Sequence, residues 1–146
     1  MNRLAFANRL AFAGLGGRTT IASSVIRQPL SVSRAFYLDN EHAGAATVYL
    51  QSTSGVLLAG DHVCLTIEAT NHAHATVLGE TSTVVHGGPG LVPAEQHVEI
   101  IGGDDARIDY LPSPTVVLGD TSFVNSVTVR MRPGAIAVVA EAILGF

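Results

Sequence analysis

Residues 63–77 read VCLTIEATNHAHATV, and their alternation of apolar and other residues indicates the fold class. Val63, Leu65 and Ile67 alternate with other residues, and a period of two is typical of a β-strand with one buried face. Thr and Asn at residues 70–71 favour a turn, after which residues 73–78 return to the same period. The stretch therefore predicts two consecutive strands joined by a tight turn.

The same pattern occurs twice more along the chain. Residues 98–110 alternate around a Gly-Gly-Asp-Asp turn, and residues 127–139 alternate around a Pro-Gly turn. An alanine follows each turn, at Ala73, Ala106 and Ala135, so the copies are 33 and 29 residues apart. A strand pair cannot bury a face alone, whereas stacked pairs can. We predict an all-β fold of stacked two-strand repeats, forming either two packed sheets or a β-helix-like solenoid.

Alternation and turn residues predict nine strands in all. They span 19–26, 30–38, 45–52, 63–68, 73–78, 97–101, 106–111, 124–132 and 135–143. Residues 17–146 are predicted to form a single all-β domain, and residues 1–16 an N-terminal segment without a defined structure.

The first 38 residues contain five Arg and no acidic residue, whereas the remainder holds twelve acidic residues and three Arg. A basic start of this kind is compatible with a transit peptide. The alternative is that residues 2–7 and 8–13, two copies of Asn-Arg-Leu-Ala-Phe-Ala, lead into the first strand.

Composition excludes several classes of protein. Hydrophobic residues make up 47% of the chain and charged residues 14%, which favours a packed interior over disorder. A net charge of −4 and the absence of Lys argue against a nucleic-acid partner. Apolar runs are interrupted well before the roughly 20 residues of a membrane-spanning helix. Cys64, the single cysteine, is predicted to be a small buried thiol in a reducing compartment.

One motif suggests a metal site. His72 and His74 are two residues apart, as ligands on one face of a strand would be, and Glu80 shares their parity. The three residues resemble the first metal motif of the cupins, which are β-barrel proteins. The gap between His74 and Glu80 is longer than in cupins, and no second motif follows. A small cupin-like metalloprotein is therefore the alternative hypothesis.

No complete catalytic motif is present. The chain has no Gly-x-Ser-x-Gly nucleophile elbow, and the glycine-rich residues 87–90 lack the Lys of a phosphate-binding loop. The sequence thus predicts a binding or assembly scaffold and not an enzyme.

The order of several segments resembles a known family, the urease accessory proteins UreD (UreH in some species). Residues 54–61, SGVLLAGD, are similar to the family's GGLLGGD segment, and residues 29–38, PLSVSRAFYL, to its strand containing PL and FY. Residues 109–112, 133–135 and 140–145 match further segments in the family's order. The resemblance covers residues 17–145.

This resemblance implies a cytoplasmic maturation factor that binds UreF, UreG and apo-urease and helps nickel reach the urease active site. Such proteins have a two-sheet, β-helix-like fold and catalyse nothing themselves. Nickel would be in transit, with no tightly bound cofactor.

The sequence also departs from the family. Ala59 replaces a Gly, Ala35 replaces a Pro, and residues 83–85 differ from the usual pattern. Family members are nearly twice as long, so the chain is expected to correspond to their amino-terminal half, truncated at its C-terminal end. We expect the chain to be a fragment or truncated gene product, a divergent short form, or a nonfunctional remnant.

The resemblance also suggests residues for a polar nickel route. Asp61 matches the family's aspartate, with Glu68, Glu80 and Ser82 as further candidates. Carboxylate ligands can hold Ni²⁺ briefly and release it. Asp61 has a competing role, because an aspartate beside Gly60 can cap a turn through its side chain.

Overall fold

The computed structural model describes residues 6–146, which form fourteen β-strands. The strands are β1 Phe6–Leu15, β2 Arg18–Val25, β3 Leu30–Val32, β4 Ala46–Ser52, β5 Val56–Leu58, β6 His62–Ala69, β7 His74–Gly79, β8 Thr83–His86, β9 Ala94–Gly102, β10 Arg107–Leu111, β11 Thr115–Val117, β12 Phe123–Met131, β13 Ile136–Val139 and β14 Ile143–Gly145. Within these residues there is no helix of the length and apolarity that a membrane span requires.

The strands form three sheets that wrap around one axis. Sheet A has the order β12-β9-β6-β1-β2, sheet B the order β13-β10-β7-β4-β3, and sheet C the order β14-β11-β8-β5. From β4 onward the chain visits sheets B, C and A in turn, and each strand pairs in parallel with its counterpart one coil later. The all-β prediction is confirmed, and of its two versions the structure is the solenoid.

The repeat has three strands, not two. β6 and β7, which the sequence placed in one pair, lie in different sheets and pair with strands of neighbouring coils. The missed strands, β5, β8, β11 and β14, are three or four residues long. A segment of three or four residues is too short to show the alternation by which a strand is recognised in the sequence. Its backbone hydrogen bonds are formed with the strand of the adjacent coil.

Alternation along each strand places the apolar residues inside. In β6, Val63, Leu65, Ile67 and Ala69 are buried while the residues between them are half-buried on the outer face. Parallel register stacks equivalent residues, so Ile67 lies beside Ile100 of the next coil. Fully burying such a side chain contributes about 1.5–3 kcal/mol. The outward parity also places Cys64 on the outer face, so its predicted burial in the core is wrong.

The turn between sheets A and B has the same geometry in three coils. The N–H groups of Ala73, Ala106 and Ala135 each donate to the carbonyl three residues earlier, at 3.0–3.1 Å. The residue before each alanine has a positive φ of 60°, 54° and 74°, at His72, Asp105 and Gly134. The repeated alanines thus mark equivalent positions in successive coils.

The N-terminal end of the solenoid begins with β1, in the segment that the sequence left undefined. β1 pairs in parallel with β6 and antiparallel with β2, and its register shifts between Ala11 and Phe12. That shift puts Leu10, Ala11 and Phe12 all in buried positions, which obscures the period of two. Residues 1–5, where the suggested transit peptide would begin, lie outside the described residues.

Candidate functional site

A cavity of about 490 Å³ lies at the rim where sheets A and B meet. Its lining includes both predicted metal-binding histidines, His72 and His74, and the loop residue His42. The rings of His42 and His74 are in edge-to-face contact, with centroids 5.4 Å apart. The cavity is therefore lined partly by imidazoles, and its polar groups come from three separate loops and strand ends.

Hydrogen bonds within the 39–45 loop hold His42 in place. The Asp39 carboxylate accepts bonds from the backbone N–H groups of His42, at 3.0 Å, and Glu41, at 2.8 Å. These bonds stabilise the charged form, so they hold the pKa of Asp39 below its ordinary value. The His42 ring also lies 3.2 Å from Asp39. Asp39 therefore orders the loop that forms one wall of the cavity.

On the other side of His74, the carboxylate of Asp109 already has a cationic partner. His74 Nε2 lies 3.6 Å from Asp109 Oδ2, while Arg107 Nε donates to both Asp109 oxygens at 3.0 and 3.3 Å. Because the Arg107 guanidinium donates to both carboxylate oxygens, Arg107 and Asp109 form a hydrogen-bonded ion pair near the start of β10.

The cupin-like metal site is not formed. His72 lies in the turn before β7, with a positive φ and a side chain 76% exposed, so it does not share a strand face with His74. Glu80 lies beyond the end of β7 and is exposed. Within residues 6–146, His72, His74 and Glu80 do not form a group with metal-ligand spacing. The fold is also a solenoid and not a cupin barrel.

Asp61 has the turn-capping contact that was one of its two predicted roles. Its Oδ2 accepts a hydrogen bond from the Leu58 backbone N–H at 2.8 Å, and its own N–H donates to the Leu58 carbonyl at 2.9 Å. These two bonds close the turn between β5 and β6. The aspartate side chain is exposed on the outside of the solenoid.

The other candidates for a nickel route lie at separate places. Glu68 is on the outer face of sheet A, where it forms an ion pair with Arg9. Glu80 and Ser82 are exposed in the connection between β7 and β8. The structure brings none of these residues together with Asp61 into one metal-ligand group within residues 6–146. A role in nickel transit stays a prediction for all four.

Comparison with known proteins matches this sequence to one family over nearly the whole chain. The family model described as "UreD urease accessory protein" matches residues 5–145. The chain belongs to the UreD family. It is 38% identical over 129 residues to urease accessory protein UreD 1 of Methylorubrum extorquens (strain PA1), covering 88% of this chain and 44% of that protein.

Two further relatives give the same result. Identity is 36% over 134 residues with UreD 1 of Methylorubrum populi, covering 92% of this chain and 45% of the relative. It is also 36% over 130 residues with UreD of Ralstonia nicotianae, covering 89% and 43%. The chain thus spans a little under half the length of these UreD relatives. Its resemblance to UreD, expected from the sequence, is confirmed.

Sequence reasoning missed one constellation in this UreD chain. His62, Glu95 and His97 lie on the outer face of sheet A, with their ligand atoms all within 4.8 Å of one another. His62 lies 33 positions before Glu95 in the chain, and only the pairing of β6 with β9 brings it beside Glu95 and His97. The sequence did hold one signal for this group. All three residues occupy outward-facing positions of their strands, so a correct alignment of the coils would have placed them side by side.

Cys64 lies next to this group. Its Sγ is 3.5 Å from His62 Nε2. Partial burial, and to a lesser degree the Glu95 carboxylate, raise the pKa of the Cys64 thiol. The thiol is therefore the resting form at neutral pH.

Proposed function

We propose that this UreD chain is an assembly scaffold for urease maturation, which binds UreF, UreG and apo-urease during nickel insertion. The observation that carries the proposal is the family match over residues 5–145. In this role the protein acts as a chaperone in the cytoplasm and catalyses no reaction itself. Nickel would pass between proteins of the complex and would not remain as a cofactor.

The solenoid has physical properties that suit a scaffold. Three sheets of largely parallel strands stack in register and give the solenoid regular outer faces. Such faces can contact several proteins at once, as repeat proteins do, without the closed apolar pocket that small-molecule sites favour.

For the nickel itself, we propose Asp61, Glu68, Glu80 and Ser82 as polar groups that an ion could meet in transit. Carboxylate oxygens bind Ni²⁺ more weakly than a set of imidazoles or thiolates, so a dispersed set of oxygens favours transfer over storage. Their separate positions fit contacts with different partners along a path.

Co-expression tests the scaffold function directly. The 146-residue chain, carrying a cleavable tag, is expressed together with UreF, UreG and apo-urease, followed by affinity capture and size-exclusion chromatography. We expect a discrete complex that contains this chain and at least one urease-system partner. A folded, monomeric chain that elutes without any partner would contradict the proposal. An unrelated β-solenoid with the same tag is the control for nonspecific capture.

A further inference from the structure

The outer face of sheet A carries a compact group of histidine and carboxylate side chains. His62 begins β6, and Glu95 and His97 lie near the start of β9. In the parallel register His62 is opposite Glu95, and Cys64 is opposite His97. Because residues two apart on a strand point to the same side, all four side chains lie on the outer face.

The distances within the group are those of ligands that can share one ion. Glu95 Oε2 lies 3.3 Å from His97 Nε2 and 3.8 Å from His62 Nε2. The two rings are nearly perpendicular, at 87°, with centroids 5.1 Å apart. Zinc–nitrogen and zinc–oxygen bonds of about 2.0–2.2 Å in tetrahedral geometry place neighbouring ligand atoms roughly 3.3–3.6 Å apart. Only small side-chain movements separate the observed group from this geometry.

A neighbouring hydroxyl orients one of the rings. His97 Nδ1 lies 2.6 Å from Ser126 Oγ of β12, the strand on the other side of β9. When Nδ1 carries the proton and donates to this hydroxyl, the lone pair of Nε2 faces Glu95. Histidines that bind metals are commonly oriented in this way by a hydrogen bond from the second ring nitrogen.

The position on the sheet favours a pre-formed site. The three side chains are 23%, 24% and 36% exposed, so an ion can reach them from solvent while their strands fix their backbone positions. Sites on strands are held more accurately than sites on loops. The rim pair His42 and His74 differs in this respect, because His42 belongs to a loop.

We propose that His62, Glu95 and His97 form a binding site for one divalent transition-metal ion, of the class of Zn²⁺, Ni²⁺ and Co²⁺. Two imidazole nitrogens and one carboxylate oxygen suit such ions better than Mg²⁺ or Ca²⁺, which prefer oxygen ligands. A water molecule, or the Cys64 sulfur, completes the coordination. The site rests on the geometry of sheet A alone and does not depend on the proposed role in urease maturation.

Metal titration of the purified, tag-free chain tests this inference. Isothermal titration calorimetry with Zn²⁺, Ni²⁺ and Co²⁺ measures stoichiometry and affinity without any partner protein. The wild type is compared with His97→Ala and Glu95→Gln, and with the control His74→Ala, which removes a histidine of similar exposure outside the group. Circular dichroism and thermal melting establish that each variant is folded.

We expect one ion per chain in the wild type and in His74→Ala, with at least a tenfold loss of affinity in His97→Ala and Glu95→Gln. Ser126→Ala should weaken binding by about tenfold through loss of ring orientation. The visible spectrum of the Co²⁺ form should change in His97→Ala, and a thiolate charge-transfer band that disappears in Cys64→Ser would identify sulfur as the fourth ligand. Binding that is unchanged in folded His97→Ala and Glu95→Gln, or that is lost equally in His74→Ala, would overturn the proposal.

Discussion

Ile100 and Val129 are direct neighbours in the parallel pairing of β9 and β12, yet Ile100 is fully buried whereas Val129 is 44% exposed. Ile100 has Ile67 on its other side, and no strand of residues 6–146 follows β12 in sheet A. An inward-facing residue therefore contributes more to stability when a coil packs on both sides of it, as for Ile100, than when only one side is covered, as for Val129.

Alanine substitutions at these two positions should show that difference. Ile100→Ala is expected to lower the free energy of unfolding by about 2–5 kcal/mol, because it leaves a cavity between coils. Val129→Ala should lower it by less than about 1 kcal/mol, since the side chain is already half in water. Urea denaturation of the isolated chain measures both values. Equal losses would mean that another molecule covers the last coil, and concentration-dependent stability would then be seen.

The left-handed turn position gives a second prediction. Gly134→Ala should destabilise the chain by about 1–2 kcal/mol, because φ is +74° and the new Cβ would overlap the Asp105 carboxylate. The reverse change in the equivalent position, His72→Gly, should raise stability by up to about 1 kcal/mol, as relief of strain exceeds the entropy lost by glycine. Thermal melting curves test the pair. A loss of stability in His72→Gly would show that the imidazole makes a contact outweighing the strain.

Tyr110 predicts a loss of stability at alkaline pH. Burial, with a smaller contribution from the Glu141 carboxylate, raises the pKa of the Tyr110 phenol well above its ordinary value of 10.0. Above about pH 10 the unfolded chain releases a proton that the folded chain keeps. Stability from this group is therefore complete below pH 10 and falls above it, by up to about 1.4 kcal/mol per pH unit.

The Tyr110→Phe variant is the matched control for that effect. It keeps the buried ring and removes the ionisable hydroxyl, so the difference in unfolding free energy between variant and wild type should be constant from pH 7 to 9 and shift in favour of the variant above pH 10. Denaturation in urea at each pH provides the measurement. Parallel curves across the whole range would contradict the assignment.

Substitutions at Asp61 separate its two predicted roles. Asp61→Ala removes the acceptor for the Leu58 N–H and should lower stability by about 0.5–1.5 kcal/mol. Asp61→Asn keeps an acceptor oxygen and should preserve most of that stability while removing the charge. Urease activation in the co-expression system then tests the charge alone. Full activation with Asp61→Asn would leave only the turn-capping role.

The sequence predicted most of the long strands because they are half-buried and alternate. The predicted segments 45–52, 63–68 and 106–111 correspond to β4, β6 and β10, and the ends of each segment agree with those of its strand to within two residues. The strands of sheet C could not be predicted in this way, because segments of three or four residues have no measurable period and depend on the adjacent coil for their hydrogen bonds. β1 was missed because a register shift buries three consecutive residues.

Sites that depend on one strand and its turn were partly predictable, and sites that cross coils were not. The turn-capping contact of Asp61 is local, so it could be anticipated from the neighbouring glycine. His72 and His74 share no strand face, because β7 begins only at His74 and His72 lies in the preceding turn with a positive φ. Residue type and order were enough to predict the all-β class, the presence of a repeat and the family, although not the number of strands in each repeat. Tertiary structure alone shows that the repeats form a solenoid of three sheets. It also places His62 beside Glu95 and His97, because the register between coils depends on how the whole core packs.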